Sequence, residues 1–458
     1  MPLLSFSPQF NLEAIVQLAR ELYGRSASAM PLPSERDQNF LLHTEAGEKF
    51  VLKIANAQEE RSLLEAQQRA LEHLAQHTML CPRVVASVNG ETISTIQAPN
   101  RATHLVRMVT YLEGIPLGRI KRHSPELMRD LGRGLGQIDR ALASFDHPAV
   151  HRDFHWDLAN GLRVVHEYSA LIKDEPLRAL VEKLTADFER EIAPVLPRLR
   201  RSVIHSDAND YNVLVGHGED LYSRNQHVGG VIDFGDMVYS YTVGELAIAI
   251  AYAMLDKSDP LAVAAQITQG YHAEYALVEE ELAALFPLVC LRLCMSVCLA
   301  AHQQAQAPGN EYLSISQQAI RNTLPRLAQI PTRFAEARLR QACGLPPVQN
   351  SAHVQAWLQA HAGAFASILE NDLRTSPSLV LDLGISSPHL SGDLNENAEP
   401  QLTQRLFGLM KSAGVQVALG RYDEPRLLYL APAFATGESW TDERRTSHLG
   451  RDLFAEAG

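Results

Sequence analysis

The chain carries Val203-Ile204-His205-Ser206-Asp207-Ala208-Asn209-Asp210-Tyr211-Asn212-Val213-Leu214-Val215 and, a short loop later, Gly229-Gly230-Val231-Ile232-Asp233-Phe234-Gly235-Asp236. The apolar runs Val213–Val215 and Val231-Ile232 read as short strands that each deliver polar residues at one end. The first segment has the spacing His-x-Asp-x-x-x-x-Asn, through His205, Asp207 and Asn212. The second sets Asp233 at a strand tip in an Asp-Phe-Gly sequence. In phosphoryl transfer such positions supply an aspartate for the attacking hydroxyl, a metal-binding amide and a metal-binding carboxylate. The stretch predicts a kinase-type catalytic centre and says which other parts the chain must contain.

Upstream, the polar loop before Phe40 feeds an apolar strand, Glu45-Ala46-Gly47-Glu48 makes a turn, and Lys49–Ile54 returns as a second strand carrying Lys53. This strand–turn–strand is the candidate cover for a triphosphate, although it lacks G-x-G-x-x-G. A helix over 57–77 follows, with Leu63, Leu64, Ala66, Leu71 and Leu74 on its apolar side. Glu65 on that helix is the expected carboxylate partner of Lys53, as a phosphate-gripping ammonium needs one. Glu60 and Glu72 are less well placed. Strands near Val84–Val88, Thr92–Thr95 and Leu105–Tyr111 run into a Gly/Pro break. Thr110 and Leu112 then lie in a hinge whose backbone groups would meet a purine edge.

The sequence His151-Arg152-Asp153 imitates a kinase catalytic loop more closely than His205-Ser206-Asp207 does. Its asparagine, Asn160, falls two positions late, and no Asp-x-Gly follows at a suitable distance. Base and metal ligand must come from one tight loop, so 151–160 reads as packing or substrate-side structure. Ser124-Pro125-Glu126 opens a helix with an N-cap and a proline at its first position. The run Leu246–Leu255 is apolar all round and predicts a central buried helix. Helices near 260–276, 278–305, 311–328 and 332–342 complete an α-rich lobe, and 352–373 reads as one more. The expected architecture is α+β and bilobal: a small antiparallel β lobe over 1–112 and a larger α-rich lobe over 113–345. A linker and helix occupy 346–375, and an incomplete, mostly-β domain occupies 376–458.

Composition narrows the classes. An apolar content of 46% with 21% charged residues is that of a soluble protein with a sizeable core. A net charge of −12 opposes a nucleic-acid partner, since phosphate neutralisation needs clustered Lys and Arg. The stretch Leu282–Ala301 is interrupted by Pro287 and Arg292 and reads as a core helix, so no membrane is expected. Five cysteines form no C-x-x-C pair, which suits a reducing cytoplasm. Cys290, Cys294 and Cys298 share one helix face, where a small-residue packing stripe is favoured over a metal site.

Together, Val203–Val215, Gly229–Asp236 and Gly244-Glu245-Leu246-Ala247-Ile248-Ala249 resemble the aminoglycoside phosphotransferase/choline kinase group, and within it the hydroxylysine kinase branch. The resemblance covers roughly residues 10–345. It implies Mg²⁺ and ATP or GTP as cofactors, with Asp207 receiving or orienting the hydroxyl proton and His205 beside it bracing the loop. Asn212 and Asp233 would hold the metal, and Lys53 with Glu65 the α/β-phosphates. Position 206 is often Gly in relatives and is Ser here. The implied acceptor is a small cationic amino alcohol such as hydroxylysine, ethanolamine, choline or an aminoglycoside. Asp236 and Asp210 are candidates for its ammonium. A scaffold module with weak catalysis is the alternative, and the joint presence of Asp207, Asn212 and Asp233 argues against it. A protein kinase is disfavoured because no Ala-Pro-Glu segment follows.

The tail Arg445–Ala455 is similar to the first zinc-ligand motif, H-x-x-x-D, of LytM-like (M23 family) peptidases, with His448 and Asp452 as two ligands. The third ligand of that family has no counterpart here, so the expected zinc site is incomplete. The order of the two resemblances is that of kinase/LytM-like/class III aminotransferase fusions, which implies covalent continuation by further C-terminal domains.

Overall fold

Period-two alternation in Lys49-Phe50-Val51-Leu52-Lys53-Ile54 buries Phe50, Leu52 and Ile54 on one face and turns Lys53 to the other. A computed structural model of the chain describes residues 6–34, 36–98, 101–216, 220, 226–306, 317–366, 369–373, 375–426, 429 and 447–455. The chain divides into two compact units, Met1–Ser351 and Ala352–Gly458.

The first unit opens with helix α1 (Leu12–Tyr23), capped as its sequence demands by Asn11 Oδ1, which accepts the Ala14 N–H at 2.9 Å. Strands β1 (Ala27–Leu32), β2 (Gln38–Thr44) and β3 (Lys49–Ile54) follow. After α2 (Arg61–Leu74) come β4 (Val84–Val85), β5 (Ser94–Gln97) and β6 (Thr103–Thr110). The antiparallel sheet has the order β1-β2-β3-β6-β4, with β5 also pairing β6. Strand β1 alters the reading of the triphosphate cover. Lys53 lies on the third strand, and register Phe50↔Thr110 puts the Glu45–Glu48 turn near the hinge end. The loop at the opposite end is 33–37, between β1 and β2.

The helical lobe carries β7 (Ile115–Pro116), α3 (Pro125–Leu142), α4 (Gly161–Tyr168) and α5 (Glu175–Glu191). Four short strands then frame the motif: β8 (Arg201–Ile204), β9 (Val213–Val215), β10 (Val228–Val231) and β11 (Val238–Tyr241). β8 pairs antiparallel with β11, and β9 with β10. Register Val238↔Ile204 and Val213↔Val231 brings residues 205–212 and 232–237 to one place.

Helices α6 (Thr242–Ala253), α7 (Pro260–Glu274), α8 (Glu279–Gln306), α9 (Gln317–Leu327) and α10 (Thr332–Ala342) complete the unit. By length and composition α8 could span a membrane. Here nearly all its residues from Glu281 to Ala300 are buried in the lobe's core. Cys290, Cys294 and Cys298 are buried free thiols, pushed up by burial, to about 12 for Cys290 and Cys298. No cluster of three metal-ligating side chains occurs among the described residues.

In the second unit, α11 (Ser351–Ala360) ends well short of 373. β12 (Ser378–Leu381) lies parallel to β13 (Val417–Gly420), joined through α12 (Gln401–Ser412), and β16 (Leu453–Ala455) adds to β13 antiparallel. A separate ladder pairs β14 (Glu424–Pro425) with β15 (Ser447–His448). Leu381, Leu383, Leu406, Met410 and Ala418 form its small core.

Helices α3 and α7 approach through glycines. A Cβ on Gly132 would sit 1.8 Å from the Ile267 carbonyl oxygen, and one on Gly270 1.8 Å from that of Arg129. Gly132→Ala is therefore expected to destabilise the first unit by about 3 kcal/mol or more through overpacking. Gly408 on α12 faces open space, so Gly408→Ala is expected to stabilise its own unit by about 1 kcal/mol. Urea titration of the two variants checks both signs.

Candidate active site

His205 leaves β8 fully buried, with both ring nitrogens engaged. Nε2 lies 2.9 Å from the Ile232 carbonyl oxygen and Nδ1 accepts the Asp207 N–H at 3.2 Å. The ring meets Phe234 edge-on at 4.6 Å. His205 thus ties two loops together through its ring nitrogens. Asp207 stands at the convergence: its Oδ1 accepts from Asn209 Nδ2 at 2.9 Å and its Oδ2 from Asn212 Nδ2 at 2.7 Å. The Ile232 N–H donates to the Asn212 carbonyl at 2.9 Å, which sets Asn212 beside the base of Asp233.

Lys53 crosses from β3 to Asp233, Nζ to Oδ1 3.2 Å. The expected Lys53–Glu65 pair does not form. Glu65 bonds Arg61 one turn earlier on α2, at 2.9 Å. The α2 side chain facing this region is Gln67, whose Oε1 accepts from buried Arg107, the cross-strand neighbour of Lys53. At the hinge, the Thr110 N–H donates to the Arg83 carbonyl at 2.9 Å and its Oγ1 accepts the Arg83 N–H at 2.8 Å. Tyr111 N–H goes to the Lys49 carbonyl at 3.1 Å. The N–H and hydroxyl of Thr110 are thereby committed to Arg83.

Residues 28–282 match the model of the phosphotransferase enzyme family called APH, more than half of the chain. The chain belongs to that family. It is 33% identical over 331 residues to a hydroxylysine kinase of Mus musculus, spanning 68% of this chain and 88% of the relative. A homoserine kinase of Xanthobacter autotrophicus is 27% identical over 251 residues, covering 54% of this chain and 72% of the relative. Among solved structures, a microcompartment-associated aminopropanol kinase aligns with a TM-score of 0.53 at 18% identity, covering 74% of this chain and all of that one. An amicoumacin kinase in complex with AMP-PNP and Ca²⁺ aligns at 0.51 and 16% identity, covering 76% and 97%. The chain is a small-molecule kinase with the bilobal fold that its motifs predict.

Three carboxylates crowd this phosphotransferase site, and burial, their neighbours' charge and the cations around them set their protonation apart. Burial, then the Asp236 carboxylate, push Asp207 up to about 8, while Arg292 pulls it down. Lys53 holds Asp233 down at about 2. Burial raises Asp236, opposed by Arg36 and Arg152. The Arg292 guanidinium lies 3.6 Å from Asp207 Oδ1, is almost wholly buried, and stacks over Trp156 at 4.6 Å. Arg152, inside the imitation motif, donates to the Gly235 and Met237 carbonyls at 3.0 and 3.1 Å. Through Arg152 that segment braces the Asp-Phe-Gly turn.

Sequence reading passed over Arg292, Arg107, Arg36 and Glu245 as site residues. A lone arginine in an apolar helix and a lone glutamate opening another were the available signals, because a buried charge needs a partner. Glu245 supplies one: its Oε2 accepts the Ser206 N–H at 2.7 Å in a wholly buried position.

In the second unit, His448 Nε2 lies 3.1 Å from Asp452 Oδ1, and Asp452 Oδ2 accepts from Arg426 at 2.6 Å. Tyr429 Oη lies 2.6 Å from His448 Nδ1. The two predicted zinc ligands face each other with an arginine already on the carboxylate, and no third ligand joins them among the described residues. A zinc role for this pair is not supported by its surroundings.

Ser206 adopts φ +68°, a left-handed conformation that favours glycine, and its buried hydroxyl has no partner. Ser206→Gly is expected to stabilise the protein by about 1 kcal/mol, with Ser206→Ala giving less because the strain stays. Thermal melting of both variants against wild type reads the difference.

Proposed function

We propose that the protein transfers the γ-phosphoryl group of ATP or GTP to the hydroxyl of a small amino alcohol. The observation that carries this reading is the meeting of Lys53, Asp207, Asn212 and Asp233 at one point between the lobes. All four side chains being present favours an enzyme over a scaffold. Asn212 spends its amide N–H groups on Asp207, leaving Oδ1 as a hard oxygen donor beside the ionised Asp233. This donor set suits Mg²⁺, which would be held by Asn212 and Asp233 and would neutralise charge on the phosphates.

Asp207 takes the acceptor hydroxyl as a hydrogen-bond partner and receives its proton as the phosphoryl group leaves the nucleotide. Its elevated proton affinity suits a group that must gain a proton near neutral pH. Arg292 holds the carboxylate from below and Asn212 from the side, so the acceptor oxygen is aligned rather than strongly activated. Lys53 contacts the α/β-phosphates, and Leu112 in the hinge borders the base. The ammonium of the acceptor falls to Asp236 and Asp210. Relatives named for hydroxylysine, homoserine and aminopropanol support an amine-bearing alcohol as the acceptor class. Five free cysteines support a cytoplasmic setting. The His448-x-x-x-Asp452 likeness to LytM-like peptidases we retain as a statement of ancestry for the second unit, without zinc chemistry.

Nucleotide consumption with Mg²⁺ across hydroxylysine, homoserine, ethanolamine, choline, aminopropanol and an aminoglycoside tests the reading. One of these is expected to stimulate turnover, and Asp207→Asn to lower kcat by about 100-fold or more. If no acceptor raises turnover above the Asp207→Asn background, the reading fails. Lys53→Met is expected to weaken nucleotide binding about tenfold by removing a charge-assisted phosphate contact, as measured by calorimetry with a non-hydrolysable analogue.

A further inference from the structure

Two cations of the β lobe reach two carboxylates on the same short segment of the helical lobe. Lys53 Nζ lies 3.2 Å from Asp233 Oδ1, and Arg36 Nη2 lies 3.7 Å from Asp236 Oδ1. The second contact is an ion pair at the outer limit of distance, with the Arg36 side chain 42% exposed. Such a pair is weak and exchangeable. The backbone beneath it is not. Ser7 Oγ and Asn56 Nδ2 donate to the Arg36 carbonyl at 3.1 and 3.4 Å, and Asp37 Oδ1 accepts the Asn56 N–H at 3.0 Å. Arg36 and Asp37 therefore offer a held base carrying a loosely committed guanidinium.

The sequence of that loop, Pro33-Ser34-Glu35-Arg36-Asp37, contains no glycine. A glycine-rich loop at this place covers phosphates closely because it has no side chains to hold the backbone away. This loop cannot do so in the same manner, and a cation on it would have to reach the phosphates instead. A planar guanidinium matches phosphate oxygens two at a time.

We propose that Arg36 is a phosphate ligand of the bound nucleotide, exchanging Asp236 for the β- and γ-phosphates when a nucleoside triphosphate enters. This rests on the kinase reading above. The exchange parallels that of Lys53 at Asp233. It removes one of the cations around Asp236 as the acceptor's ammonium requires an anion, so nucleotide binding prepares the acceptor site.

The test is calorimetric binding of AMP-PNP and GMP-PNP with Mg²⁺ to the full chain, beside Arg36→Gln and Arg36→Lys, with melting curves of each. Arg36→Gln is expected to weaken the analogue that binds wild type by about fivefold or more. Arg36→Lys should recover part of that loss, because it keeps a charge within reach but not the paired hydrogen bonds, and the melting temperature should stay unchanged. Unaltered or tighter binding by Arg36→Gln overturns the proposal, as does a loss of affinity matched by a fall in melting temperature, which would mark a structural role. Failure of the wild-type chain to bind either analogue overturns the kinase reading itself, and this inference with it.

Discussion

The buried imidazole of His205 is the joint on which the site depends. One ring nitrogen accepts the Asp207 N–H and the other meets the Ile232 carbonyl, so the neutral tautomer with a proton on Nε2 satisfies both. The two loops it joins each turn through a left-handed non-glycine residue, Ser206 at φ +68° and Asp233 at φ +65°. Conformations of this kind cost roughly 1–3 kcal/mol each and persist only where neighbours over-determine them. The His205 ring against Phe234, and Glu245 on the Ser206 N–H, supply that constraint. Loss of the imidazole would free both strained turns at once, and the aspartates they present would no longer share a geometry.

Charge sets the second constraint. Burial and neighbouring carboxylates raise the proton affinity of Asp207 and Asp236, opposed by Arg292 at the first and by Arg36, Arg152 and Arg292 at the second, while Lys53 and Arg107 hold Asp233 down. Arg292 is the costly member. Burying a guanidinium forfeits several kcal/mol of hydration, partly offset here by the Trp156 carbonyl at 2.7 Å and by the faces of Trp156 and Tyr252. A leucine would pack that helix position at lower cost, but it would leave Asp207 without a counter-charge beneath it. The arrangement favours a correctly held carboxylate over maximal stability.

How much of this was legible in sequence follows from what each feature depends on. Local spacing fixes which residues share a turn, so His205, Asp207, Asn212 and Asp233 could be read directly, as could the Asn11 and Ser124 helix caps. The α2 partner could not. Glu65 and Gln67 lie two residues apart on one helix, and which of them faces β3 depends on how that helix docks. Spacing from Lys53 carries no such information. The cover loop was misassigned for a related reason: β1, Ala27-Ser28-Ala29-Met30-Pro31-Leu32, has weak alternation and a proline. Without it the β2–β3 turn appears to be the loop over the phosphates. As an edge strand it tolerates that proline, and only the sheet order reveals it.

The distribution of apolar packing explains why such weak polar contacts can matter. The β sheet and α1 share their own core, with Ile15, Phe40, Leu52, Ile54 and Met108 at its centre. Helix α2 is shared: Ala66, Ala70, Leu71 and Leu74 pack in the larger cluster of the helical lobe, while Leu64 packs with Ala55 and Ile93 beside the sheet. Among the described residues the sheet joins that cluster through Val109, with Val51 and Val84 packed against it. All three are close to the hinge, as the pairings Val51↔Val109 and Val84↔Val109 require. Toward the β1–β2 loop the connection across the cleft passes to Lys53–Asp233 and Arg36–Asp236. A lobe anchored by dispersion at one end and by exchangeable ion pairs at the other can admit a charged ligand at the ion-paired end without breaking its core.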